Sequence, residues 1–283
     1  MTDGFFNFLK PAGPSSSDAV VQIRRLVGGK TGHLGTLDPG AAGVLPIAVG
    51  KGTKLFDFLA FKTKKYRAFF TFGTSTDTLD SYGKITEKSE LIPAPAQIES
   101  VLPELTGEIS QIPPQYSAKS VDGVRAYEAA RKGGYTELKT RAVTVNEFIF
   151  LRQADEKTFV FDITCGGGTY IRSLARDLAS KLGTVAYMSA LVRLASGDFK
   201  IENSVTKDEL IKDWQSRLLP LDYPLGGIDA LEIDSKFYDK LKNGAKISCE
   251  SFGGLRKIYC KNEFFGLGLS KANQIVLEYN LHV

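Results

Sequence analysis

Along the 283-residue chain the apolar positions switch between a period of two and a period of three to four, and the switches predict the elements. Phe5 to Leu9 reads as a short strand closed by Lys10-Pro11. Ser15-x-x-Asp18 is a capping-box pattern, and Val20, Ile23 and Val27 follow at helical spacing, which predicts an amphipathic helix over 16–27. A glycine-rich stretch separates that helix from a buried strand, Val44 to Val49, and Leu55, Phe58 and Leu59 form a second helical stripe. Tyr66 to Phe72 alternates as a strand does, with Tyr66, Ala68, Phe70 and Phe72 on one face. A loop is predicted from Thr74 to Gly83, then a helix over roughly 96–105.

Residues 113–140 are turn-rich and basic, with one short helical piece around Tyr127. Val143–Leu151 and Thr158–Thr164 read as a hairpin joined by a polar turn near Asp155. A second glycine loop, Cys165-Gly166-Gly167-Gly168-Thr169, precedes a stripe of Ile171, Leu174, Ala175 and Leu178 that should end at Gly183 as a C-cap. From about 228 the texture changes to one helix near Ser235–Leu241 and short strands at roughly 245–249, 255–260, 263–269 and 274–280, a small β-rich appendage. Strands and helices mix without regular βαβ alternation, so the expected fold class is α+β with a large mixed or antiparallel sheet. No internal repeat or low-complexity tract interrupts it.

Composition narrows the function. The length suits one large and one small domain, and 43% hydrophobic with 24% charged residues is ordinary globular usage. A net charge of +4 is mild, so any nucleic-acid surface must be a local patch. The first residues, Met-Thr-Asp-Gly-Phe-Phe, lack the pattern of a signal peptide, and the most apolar stretch, Ala41 to Val49, is broken by Gly43 and Pro46 and too short to span a bilayer. Cys165, Cys249 and Cys260 show no CxxC spacing and are odd in number, which argues against a disulfide framework. A cytoplasmic protein without a membrane association is expected.

Several chemistries fail on the residues. Gly28-Gly29-Lys30-Thr31 mimics the end of a P-loop, yet the required first glycine falls on Arg24. With only His33 and His282 and scattered cysteines there is no convincing zinc ligand set, and no G-x-S-x-G elbow is present. No metal and no cofactor are expected. What remains is the loop from Gly32 to Gly43, whose one carboxylate is Asp38. Pro39 keeps residue 38 out of the helical region, and the glycines let a ligand approach the backbone closely. Such a loop could present an acid to a substrate or simply make a turn. Arg172, in the first turn of a helix where a cation is mildly disfavoured, is either an exposed arginine or the partner of a buried carboxylate or phosphate. Tyr66 fits a core strand face, but Lys62, Lys64, Lys65 and Arg67 around it also fit a nucleic-acid surface.

Gly32-His33-Leu34-Gly35-Thr36-Leu37-Asp38-Pro39, followed by Ala42-Gly43-Val44-Leu45-Pro46, resembles the catalytic signature of the bacterial tRNA pseudouridine synthase B family. Lys-Tyr-Arg at 65–67, Gly-Thr-Tyr-Ile-Arg at 168–172 and the loop Thr76 to Gly83 match further family segments in the family's order, from Lys10-Pro11 to about Phe199. The resemblance implies a cofactor-independent isomerase that converts uridine in the tRNA T loop, position 55 by tRNA convention, to pseudouridine. It implies Asp38 as nucleophile, Arg172 as its ionic partner, Tyr66 stacking on the target uracil, Tyr170 as a second aromatic contact, Leu191 as an apolar wall and His33 as a contact to the RNA. The loop Thr76 to Gly83 would be structural. It divides the chain into a catalytic domain over 1–222 and a PUA-like RNA-binding domain over 228–283. An insertion at about 113–140, with Lys119, Arg125, Arg131 and Lys132, would grip tRNA or be a plain solvated loop. Leu34 and Val192 depart from the family pattern. The expected partner is tRNA, with no protein partner and a monomeric chain.

Two other readings stand beside this one. A protein that binds tRNA and helps it fold would need the basic patches more than Asp38. A carboxylate-dependent glycosidase would want a second acid beside the first, and the glycine loop offers none.

Overall fold

The computed structural model describes residues 2–60, 62–115, 120–121, 124–125 and 139–282. Strand β1 (Gly4–Lys10) is buried on both faces: Phe6 and Phe8 enter the main core, and Phe5 enters a second core on the other side. Helix α1 (Ser16–Val27) begins where predicted, because the Asp18 amide donates to Ser15 Oγ and the Ser15 amide donates back to the Asp18 carboxylate. After β2 (Thr31–His33) and β3 (Ala41–Val49), a 3-10 turn over Gly50–Leu55 leads into α2 (Phe56–Ala60). Strand β4 (Lys64–Phe72) alternates in burial as its pattern requires. The region expected to be a loop contains β5 (Thr74–Thr76), paired with β6 (Ile85–Lys88).

Helix α3 (Pro95–Val101) with the 3-10 turn Leu102–Leu105 fills the predicted helix, and β7 (Gly107–Gln111) follows. Strands β8 (Ser120–Val121) and β9 (Val124–Arg125) pair with each other. Tyr127, Lys119, Arg131 and Lys132 lie outside the described residues, and Arg125 enters only as a residue of β9. Strands β10 (Arg141–Gln153) and β11 (Thr158–Cys165) make the expected hairpin, its turn held by the Asp155 carboxylate, which accepts the amides of Lys157 and Thr158. Helix α4 (Ile171–Lys181) stops where Gly183 takes φ +70°, a conformation that glycine adopts without strain. Strands β12 (Ala186–Ser196) and β13 (Phe199–Lys200) complete the main sheet.

That sheet runs β1-β3-β12-β4-β11-β10-β7, with β2 added along β3 and β13 along β12. The β3–β12 pair is parallel and its other pairs are antiparallel, so the sheet is mixed and the fold α+β. β12 sits at the centre although its sequence carries no clean alternation; register shifts at Met188/Ala190 and Arg193/Ala195 break the period of two that would have marked it. Beyond Ile201 the chain returns to β1, pairing Leu219 with Phe5 and Val205 with Phe8. The C-terminal residues form a five-stranded sheet of β14 (Ala230–Ile233), β15 (Ile247–Ser248), β16 (Arg256–Cys260), β17 (Glu263–Lys271) and β18 (Gln274–Asn280). Leu267 of β17 and Leu281, just past β18, pack into the second core with Phe5, Leu34, Leu55 and Phe199. The two sheets are therefore fastened by shared apolar burial, each such side chain contributing about 1.5–3 kcal/mol.

One contact fixes how close β3 and β12 lie. Gly43 stands opposite Arg193 at φ +108°, and a Cβ placed there would be 2.3 Å from the Arg193 carbonyl oxygen. Gly43→Ala is expected to destabilise the protein by at least about 2 kcal/mol, from backbone strain plus the displaced strand, read as a lowered urea midpoint.

Candidate active site

The loop between β2 and β3 is held from three sides. The Ser16 hydroxyl, at the start of α1, accepts the Leu37 amide at 2.8 Å and donates to the Leu37 carbonyl at 2.8 Å. Lys10, at the end of β1, donates its buried ammonium to the carbonyls of Ala41 (2.8 Å), Pro11 (2.8 Å) and Pro39 (3.4 Å). Arg193 on β12 donates Nε to Val44 O at 2.7 Å, Nη2 to Gly35 O at 3.1 Å and Nη1 to Thr36 O at 3.3 Å. The backbone on either side of Asp38 is thus tied to two strands and a helix, while its side chain stays 39% exposed.

The carboxylate faces a buried guanidinium. Arg172 Nη2 lies 3.0 Å from Asp38 Oδ2, while Nη1 lies 3.4 Å from Asp80 Oδ2 and donates to the Thr78 carbonyl at 3.0 Å. Arg172 is placed by the start of α4, where Gln111 brackets Tyr170: the Tyr170 amide donates to its carbonyl at 2.8 Å and its amide nitrogen donates to Tyr170 O at 3.1 Å. Burial excludes the reading of Arg172 as a surface arginine. Asp80 in turn is fixed by Thr78 Oγ1, which donates to Asp80 Oδ1 at 2.6 Å, and by the Tyr82 amide, which donates to the same oxygen at 3.0 Å. The loop Thr76 to Gly83 therefore brings a second carboxylate to the site, which the sequence did not reveal.

Tyr66 is 8% exposed and lies directly opposite Arg193. Burial pushes its hydroxyl above the ordinary tyrosine value, against the pull of Arg193. Leu191, two residues before Arg193 on the same face, is buried opposite Ala68 on β4 and Ala41 on β3. His33, on β2, is kept below the ordinary histidine value by burial and then by Arg193, so the ring is neutral at pH 7; its Nδ1 is buried with no hydrogen-bond partner among the described residues. Asp38, Arg172, Tyr66, Tyr170, Leu191 and His33 come from the elements that surround one loop.

The basic run around Tyr66 divides between the interior and the surface, where Lys65 and Arg67 are exposed. Lys64 is buried on the Tyr66 face, donating to the carbonyls of Ala60 and Lys62, while Arg67 pairs with Asp162 and Lys62 with Asp198. The reason is the strand period: Lys64 is two residues from Tyr66 and shares its inward face. The same reasoning could have found Lys64. Lys10 and Arg193 had no such signal, because the loop carbonyls from Gly35 to Val44 that they hold lie far from them in sequence. Among the described residues, no three His, Cys, Asp or Glu side chains gather as a metal cradle, and no helix is long and apolar enough to cross a membrane.

Residues 23–171 match the family model of the TruB family pseudouridylate synthase N-terminal domain, and residues 172–225 match that of the tRNA pseudouridylate synthase B C-terminal domain. The chain belongs to the TruB family of pseudouridylate synthases. A tRNA pseudouridine synthase B of Caldanaerobacter subterraneus subsp. tengcongensis is 41% identical over 281 residues, covering 96% of this chain and 97% of that protein. The corresponding protein of Alkaliphilus oremlandii is 38% identical over 278 residues, covering 94% and 93%. Among solved structures, a Cbf5–Nop10–Gar1 complex contains a chain that superposes with a TM-score of 0.75 at 24% identity, over 98% of this chain and 84% of that one, which shows the same fold. As a TruB-family member the protein is an enzyme, an isomerase acting on RNA.

The buried cations give this TruB-family site a measurable pH signature. Burial lowers Lys10 from 10.5 to about 8, with Asp38 pulling the other way. Between those values the unfolded chain holds a proton that the folded chain has released, so this lysine makes stability rise with pH across that window; below about 8 its full destabilising share is present. Lys10→Met is expected to flatten the rise in unfolding free energy over that window, measured by urea melts at stepped pH.

Proposed function

We propose that the protein isomerises a uridine in the T loop of tRNA, position 55 by tRNA convention, to pseudouridine, with Asp38 as nucleophile. The tRNA substrate is supported by relatives named tRNA pseudouridine synthase B that align over nearly the whole chain. The observation that carries the nucleophile is the partly exposed Asp38 carboxylate set 3.0 Å from a buried Arg172, on a loop whose backbone carbonyls are hydrogen-bonded on both sides of it. A carboxylate of this kind can form a covalent intermediate and divide one difficult step into two.

The reaction conserves atoms. The bond from uracil N1 to the ribose C1′ breaks, the base turns, a bond forms from C5 to C1′, C5 loses its proton and N1 gains one. Asp38 adds to the sugar or the base and is released at the end. Arg172 orients its carboxylate, with Asp80 and the Thr78 carbonyl holding the guanidinium. Tyr66 and Leu191 line the inner wall where the uracil would lie, and Tyr170 adds a second aromatic. His33, neutral and at the loop's edge, meets the RNA. The target base must leave its stack, at about a few kcal/mol, and a hairpin loop lowers that demand. The β-rich unit over 228–283 is assigned as a PUA-like RNA-binding domain beside the catalytic part over 1–222, and the enzyme works in the cytoplasm.

Tritium release from C5-labelled uridine in an unmodified tRNA transcript tests the chemistry. Wild type should release tritium; Asp38→Asn should release none while still binding the transcript, and retained turnover would sink the assignment. Arg172→Lys keeps the charge and loses the fork between Asp38 and Asp80, so kcat should fall on the order of a hundredfold with a smaller change in KM. A protein that served only to refold tRNA would restore tRNA folding equally well as wild type and as Asp38→Asn, without tritium release from either.

A further inference from the structure

Among the exposed large apolar side chains of the described residues, Tyr82 is the most open, at 67%. It belongs to the same loop as Asp80, and its amide donates to the Asp80 carboxylate at 3.0 Å. Its ring lies against Gly40: a Cβ built on Gly40 would stand 2.5 Å from the ring. Gly40 follows Asp38 by two residues, a span of at most about 7 Å. An aromatic ring is thus held beside the loop that carries Asp38, against a glycine along one edge and mostly open to water, with the exposed Lys84 two residues on.

The site already accounts for a target uracil on Tyr66 and Leu191, both on the inner wall, and Tyr82 is not needed there. A uridine turned out of its stack leaves its neighbours with an uncovered π-face, and a fixed aromatic is suited to cover one. We propose that Tyr82 stacks on the nucleobase directly next to the target uridine; this rests on the tRNA pseudouridylation reading above. The ring recognises any base by its face, so it would grip the RNA strand without reading its sequence.

The test uses the full chain in the Asp38→Asn background and an unmodified T-loop hairpin carrying 2-aminopurine on one side or the other of the target. The Asp38→Asn protein should quench one of the two probes. Adding Tyr82→Ala or Tyr82→Leu should relieve that quenching and weaken binding about 5- to 150-fold, the range given by one lost base–aromatic stack. Tyr82→Phe and Tyr82→Trp, which keep a flat ring, should retain both. With Asp38 intact, Tyr82→Ala should raise KM for tritium release by a similar factor and change kcat little. Gly40→Ala, which pushes the ring from its seat, should mimic Tyr82→Ala in part. Leucine equal to tyrosine in affinity and quenching would overturn the proposal and leave Tyr82 as a loop contact. Absence of tritium release by wild type would instead remove the underlying reading, whatever Tyr82 does.

Discussion

A guanidinium buried to 7% exposure cannot stay there without compensating charge, and Arg172 takes it from two carboxylates on two separate loops. That requirement pins three segments to one point: the Gly32–Gly43 loop through Asp38, the Thr76–Gly83 loop through Asp80, and the first turn of α4 through Arg172 itself. Removing one partner of such a buried group commonly costs about 3–5 kcal/mol, because an uncompensated charge remains. The rest of the site follows from where this junction must sit, at the ends of the central strands.

The loop bearing Asp38 would still be loose if only its side chain were held. Lys10 and Arg193 prevent this by taking carbonyls on both sides of Asp38, and Ser16 takes both polar groups of Leu37. Charged donors on buried carbonyls are among the stronger hydrogen bonds available to a protein. Hydrogen bonds of this kind preorganise a site, and preorganisation is where such sites gain their rate. Arg193 also stands opposite Tyr66 across β12 and β4, so the cation that fixes the loop lies against the wall that Tyr66 forms.

Leu34, which the sequence reading set apart from the family pattern, is a core residue of this fold. It is buried with Leu55, Leu59, Phe199 and Leu225 in the core that the five-stranded sheet also enters. Its neighbours are apolar and its position is structural, one residue from His33 on the edge of the site. Val192 lies between Leu191 and Arg193 on the opposite face of β12, in register with Arg67.

The fold class, most of the elements and the family were legible in the residues, because capping boxes, strand alternation and a dense motif are local signals; the pairing of Asp38 with Arg172 came only from the family resemblance, since the residues alone left Arg172 open. Residues 16–27 form the predicted helix, since Ser15, Asp18 and the apolar stripe agree with one another. The central strand β12 was not legible, because two bulges break its period. Nor were the parts played by Asp80, Lys10 and Arg193, which depend on partners such as Arg172 for Asp80, Pro39 and Ala41 for Lys10, and Gly35 for Arg193, the last 158 residues away. A sequence states which groups can carry charge and where the backbone can bend. Which charges end up buried, and against which carbonyls and carboxylates, is decided when strands distant in the chain are brought side by side, since only burial makes an unpaired charge too costly to keep.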